Sequence, residues 1–133
     1  MNDEDRWAKG LDAYASQFGL RPEEVFDVMQ ARFGAPMARE AINAAAGAWS
    51  ANALSLRDRS LVVLAALAAQ GVVEARLRPH VGWAIEHGCT RDELEAMGAL
   101  LAVYVGYPRA SVAMEVIRDE LAAIDEVGET GQA

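Results

Sequence analysis

Two histidines and a cluster of arginines are the residues of this chain whose types suit chemistry, and they crowd into one stretch. Between Ser55 and Gly88 the sequence runs SLRDRSLVVLAALAAQGVVEARLRPHVGWAIEHG. His80 is a candidate acid or base, because an imidazole titrates near neutrality. Arg57, Arg59, Arg76 and Arg78 place four of the eleven arginines of an acidic protein within 22 residues. A guanidinium offers a planar fork that takes a carboxylate with two hydrogen bonds. Tyr104 and Tyr107 are candidate hydrogen-bond donors, and Trp49 and Trp83 are candidate pocket walls. Plainer roles stand beside each of these. Arg57 and Arg59 flank a helix start and suit pairing with Asp58, while Arg76 and Arg78 suit exposed ion pairs. A histidine within a helix serves packing more often than catalysis. The tryptophans suit a core or an interface. His87 lies seven residues beyond His80, but two imidazoles without a third ligand make a poor metal site, and beside Gly88 it suits a helix C-terminal cap. Cys89 suits a small buried residue.

The elements that must position these groups are helices. Ser55 with Asp58 three residues on is a capping-box-like start, and Leu61 to Ala69 follows as nine unbroken apolar residues. Nine residues cannot cross a bilayer, which takes about 20, so the spacing predicts a central helix buried on every side. Gly71 closes it, and the polar segment carrying Glu74 to His87 follows as a partner helix.

The remaining chain fits the same pattern. Trp7, Leu11, Tyr14 and Phe18 recur at helical spacing, and Gly19 ends that helix. Pro22 with Glu23 and Glu24 opens a second, whose apolar face is Val25, Val28, Met29 and Phe33. Pro36 opens a third, Ala-rich helix to about Ala51, whose small residues Ala44 to Ala48 permit close approach of another helix. Thr90 and Glu93 form a second capping box ahead of Leu94, Met97, Leu101, Tyr104 and Val105. Pro108 opens the last helix, with Val112, Val116, Ile117, Leu121 and Ile124 on one face. A polar tail, expected to fray, begins at Gly128. These are about seven helices, with no strand signal, no repeat and no long linker.

Composition bounds the rest. At 133 residues the chain is expected to be one domain that buries roughly two thirds of its unfolded surface. Hydrophobic residues make up 53% but aromatic residues only 7%, an Ala-rich balance that favours helix. A net charge of −8 argues against nucleic acid and against an anionic membrane surface. One cysteine excludes an internal disulfide, a Cys-x-x-Cys redox pair and a cysteine-based zinc tetrad within one chain. The opening Asn2 to Arg6 is polar and acidic, unlike a signal peptide, so a soluble, cytoplasmic protein is expected.

Several motifs agree in order and spacing with a known family. Arg57-Asp58-Arg59-Ser60, His80-Val81, His87-Gly88-Cys89-Thr90 and Tyr104-Val105-Gly106-Tyr107-Pro108-Arg109-Ala110 resemble the motifs of the carboxymuconolactone decarboxylase family, from about Ala35 to Leu121. The resemblance implies an all-α bundle of six to eight helices, shared with alkylhydroperoxidase D-like proteins. It divides the chain into N-terminal helices (1–34), a family core (35–121) and the tail (128–133). It implies a carboxy-lyase that acts without a cofactor or metal on a small carboxylated lactone, in aromatic catabolism or a related pathway. His80 would be catalytic, and Arg57, Arg59, Arg76, Tyr104 and Trp49 would contact substrate. The assembly implied is a homotrimer or a hexamer.

Departures from the family pattern sharpen this. The peroxidase-like branch carries a Cys-x-x-Cys pair where this chain has Val73 and Arg76, which rules out thiol peroxidase chemistry of that kind. That branch also has a glutamate where Ser60 stands. The decarboxylases show Arg-Pro-Gly where Ala51-Asn52-Ala53 stands, a glutamate at the place of Arg76, and an asparagine at that of His87. The loop after Gly71 is one residue longer here. An isomerase or hydrolase acting on a related oxo-acid or lactone, or a non-catalytic oligomeric binding protein, are the alternatives these departures raise.

Overall fold

The computed structural model describes residues 1–131, with side chains as far as residue 128. Among the described residues the protein is all helical, with no strand, as the periodicity and the resemblance predict. Seven α-helices follow in order: α1 (Asp3–Phe18), α2 (Pro22–Phe33), α3 (Ala35–Ser50), α4 (Leu56–Gln70), α5 (Arg78–Glu86), α6 (Arg91–Val105) and α7 (Tyr107–Gly131). A π-helical turn, Val73–Leu77, leads directly into α5.

The chain packs as two compact units, Met1–Ala53 and the residues from Leu54 onward. In the first, α1 lies closely along α3, and α2 packs on both. Its core is Ala15, Val25, Met29, Ala38 and Ile42, bordered by Trp7, Leu11, Tyr14, Phe26 and Phe33. Gly10 makes the close approach possible: a methyl group there would run into the Ile42 carbonyl. Packing joins α3 to α1 and α2 through Ala38 and Ile42.

The second unit holds the central stretch. The Ser55 hydroxyl accepts from the Asp58 amide at the start of α4, and Gly71 closes that helix in the left-handed region at φ 76°. The Thr90–Glu93 capping box forms at α6 with both reciprocal bonds. Leu64 and Ala68 of α4 join Leu77, Val81, Ala84, Cys89, Leu94, Ala113, Val116, Ile117 and Leu121 in one core.

Two expectations are corrected here. The apolar run Leu61 to Ala69 is not buried on every side. Only its stripe at Leu64 and Ala68 is sealed, with Ser60 one turn earlier, and Val62 is 58% exposed. The physical reason is that α5, α6, α7 and the π turn all cover α4 from its core side, so four-residue periodicity decides burial even within an all-apolar run. The polar tail expected from Gly128 is helical as far as Gly131; the last two residues lie outside the described residues.

The resemblance implies one extra residue after Gly71, and a π turn follows there. A π turn bonds i to i+5 and so takes up one more residue per turn than an α-helix. The backbone N–H of Arg78 donates to the Val73 carbonyl, which closes the turn.

Candidate active site

His80 lies in α5, preceded by Pro79 and followed by the buried Val81. Its ring packs nearly perpendicular to the Trp83 indole, with centroids 5.2 Å apart and planes at 79°. Burial holds its pKa below the ordinary 6.5, because a charged ring loses hydration there. An open helix N-terminus is not the cause. The π turn runs into α5, and the Arg78 amide is already bonded to Val73. His80 is therefore a neutral imidazole at rest near pH 7. Among the described residues it makes no hydrogen bond or ion pair, which leaves its ring nitrogens available to a substrate.

One turn and two turns beyond His80 the same helix face carries Trp83 and His87, at the i+3 and i+7 positions. The Trp83 and His87 rings are 5.9 Å apart and inclined by 31°. Nδ1 of His87 lies 2.7 Å from the Ser60 hydroxyl. Ser60 is 4% exposed and is the one buried polar side chain among the described residues, so this bond satisfies a group that would otherwise be stranded. His87 does end α5, as the sequence suggests, but it also ties that end to the first turns of α4. The signal that would have found the pair was present: a serine on the buried 60–64–68 stripe must have a partner.

The arginines fall differently. The guanidinium of Arg57 is held by Asp58, at 2.7 Å, and by Glu93. Arg59 donates through Nε to the Leu54 carbonyl at 2.9 Å. Arg78 spans Glu74, Asp119 and Glu120, tying the π turn to α7. The glutamate that stands two residues before Arg76 is thereby committed to an ion pair. Arg76 itself is exposed and unpaired among the described residues, one turn ahead of His80. Tyr104, near the end of α6, is 79% exposed. Trp49 lies on α3, in the first unit. Within the second unit, then, the structure sets Arg76 beside His80 in the chain, brings Trp83 and His87 to it, and commits Arg57 elsewhere.

Cys89 is buried, its thiol donates to the Arg57 carbonyl at 3.5 Å, and burial raises its pKa. A buried thiol with a raised pKa is a poor nucleophile. Among the described residues no three His, Cys, Asp or Glu side chains group to hold a metal ion, and no helix is long and apolar enough to cross a membrane.

The model of the carboxymuconolactone decarboxylase family matches residues 36–119. The chain is also 31% identical over 123 residues to the 4-carboxymuconolactone decarboxylase of Acinetobacter baylyi, a match that covers 90% of this chain and 89% of that protein. The family span takes in α4, the π turn, α5 and α6 with His80 and its neighbours, and the chain therefore belongs to the carboxymuconolactone decarboxylase family.

Proposed function

We propose that this protein is a carboxy-lyase of aromatic catabolism that removes carbon dioxide from a small γ-carboxylated unsaturated lactone, with His80 as the proton donor and as a homo-oligomer. The observation that carries this reading is the setting of His80: a half-buried imidazole with no hydrogen bond among the described residues, packed against the Trp83 indole, in a chain of the carboxymuconolactone decarboxylase family.

The chemistry runs as follows. The bond between the γ-carbon and its carboxylate breaks, and carbon dioxide leaves. The electron pair moves through the ring double bond onto the lactone carbonyl oxygen. The resulting dienolate takes a proton at the carbon next to that carbonyl. The conjugated ring is its own electron sink, so the residues need only stabilise the oxyanion and supply the proton. His80 supplies it. Bound carboxylates favour the imidazolium, opposing the effect of burial, so substrate arrival charges the ring that then delivers the proton. Arg76, one turn ahead of His80, is the cation we assign to the developing oxyanion. Trp83 provides a flat apolar floor for the ring.

The test is direct. Purified protein incubated with 4-carboxymuconolactone should release carbon dioxide, and His80→Gln, which keeps size but exchanges no protons, should lower turnover by about 10² or more. Lactone consumed without carbon dioxide release would replace this reading with a hydrolase or isomerase. Binding without turnover would replace it with a carboxylate-binding protein.

A further inference from the structure

We propose that Arg78 is a positioning residue: its guanidinium holds the π turn against α7 and thereby sets where Arg76 stands relative to His80. The roles of Arg76 and His80 rest on the decarboxylase reading, whereas the clamp itself stands on contacts within the second unit. Nη1 of Arg78 lies 2.6 Å from Oδ2 of Asp119 and 3.4 Å from Oε2 of Glu120, both on α7. Its Nη2 lies 3.2 Å from Oε2 of Glu74, inside the π turn. One guanidinium therefore ties the turn to the neighbouring helix. A planar fork of five donors suits that task better than the point charge of a lysine. The backbone N–H of the same residue closes the turn on the Val73 carbonyl. Arg78 thus holds the π turn by main chain and side chain together.

A turn of this kind needs holding. π turns are rare, occur as single turns within helices, and fall frequently at functional sites. The end of this one is sealed, because Leu77 joins Val81 and Ala84 in the core. Its outer residues Glu74, Ala75 and Arg76 are exposed, so the core does little to fix them. If the turn tightened to α spacing, residues ahead of Leu77 would rotate by up to about 100°, the angle of one residue. Arg76 would move with them, while His80, between the buried Leu77 and Val81, would stay. The cation and the imidazole would then lose their register. Arg78 touches no reacting atom in this scheme; it acts through Arg76.

The experiment uses the whole chain and two ways of opening the clamp. Arg78→Met keeps the apolar stem and removes the fork. Asp119→Asn with Glu120→Gln releases α7 and leaves Arg78 paired with Glu74, so it carries the test if Arg78→Met does not fold. Arg118→Met is the control, since it breaks the ion pair to Glu95 elsewhere on α7. Either opening should speed hydrogen exchange at the position-78 amide by about tenfold or more, with the amides of α4 unchanged. Turnover of 4-carboxymuconolactone should fall by about tenfold or more in kcat/KM, with partial recovery in Arg78→Lys. Arg118→Met should stay within about twofold of wild type, as a surface pair does. Combined with Arg76→Met, either opening should be no slower than the slower of its parents, because both act through one group. Losses that multiply would overturn the inference. So would an unchanged position-78 amide in the opened clamp, or an Arg118→Met loss equal to that of Arg78→Met. Should wild-type protein release no carbon dioxide, the decarboxylase reading falls and the exchange rates still decide the clamp. The same cycle, read as affinity for a saturated carboxylated γ-lactone, then decides its action on Arg76, and absence of any binding would overturn that action too.

Discussion

His80 is held neutral by burial, and that has a consequence for stability as well as for proton transfer. A group whose pKa is lower in the folded protein binds more protons when unfolded, so stability rises with pH across that window. The contribution is intact above the ordinary value of 6.5 and is lost as pH falls toward the folded-state pKa. His80→Gln removes the group. Urea titrations at about pH 7.5 and about pH 5.5 should therefore show the wild type losing more stability on acidification than the variant. Equal losses would mean that His80 carries no depressed pKa. At this scale the sequence singles out His80 as a candidate, because an imidazole beside Val81 at a motif position has few rivals in a chain with two histidines. It marks Ser60–His87 poorly: the two lie 27 residues apart, and only packing of α4 against α5 closes the gap. The Arg57 assignment suffers in the same way. Its Asp58 neighbour is visible in the sequence, but the second partner, Glu93, comes from the start of α6.

At the level of elements, local chemistry is the most legible part of this chain. Ser55, Thr90 with Glu93, and Gly71 mark helix ends by hydrogen bonds and φ values that a few neighbouring residues determine. What depends on neighbours in space is less visible. The π turn shows in the sequence only as one residue too many after Gly71, since nothing local separates a longer loop from a wider turn. The nine-residue apolar run hides which of its faces is covered, because every face looks alike. Close helix approach is similar: small residues are visible, but which of them meets a neighbour is not. The sequence points to Ala44 to Ala48, for a subunit interface as much as for the core; Ala45 and Ala46 are buried, and a further close approach in the first unit lies between Gly10 and Ile42 of α3. A Cβ at Gly10 meets a backbone carbonyl, which cannot swing aside. One at Gly98 meets the Cγ and Sδ of Met114, side-chain atoms that can shift by rotation. Gly10→Ala should therefore destabilise by about 1–3 kcal/mol or more, and Gly98→Ala by less. Denaturant midpoints that reverse this order would contradict the packing of α1 on α3.

For the whole molecule, fold class is legible because alanine-rich composition, helical periodicity and the absence of alternating apolar patterns all point one way. The grouping of α3 with α1 and α2 is not, since its apolar face would serve either neighbour. Assembly is the property of the whole chain that the surface now bears on. Val103, Tyr104 and Tyr107, with Leu100 and Val112, lie exposed where α6 ends and α7 begins, Tyr104 at 79% and Tyr107 at 74%. Large apolar side chains left exposed close together in sequence are candidates for a surface that a partner covers. Self-association is the expectation, because the family resemblance implies a trimer or a hexamer and the same patch on each copy can serve a symmetric assembly. Sedimentation at micromolar concentration should give a species several times the 14.3 kDa of one chain. The paired substitution Val103→Asp with Tyr104→Asp puts two charges into the patch without touching the core, and should shift the protein toward 14.3 kDa while its helical circular dichroism stays unchanged. A wild type that sediments only as a single chain would refute the assembly. An oligomer indifferent to the paired substitution would move the interface to another face.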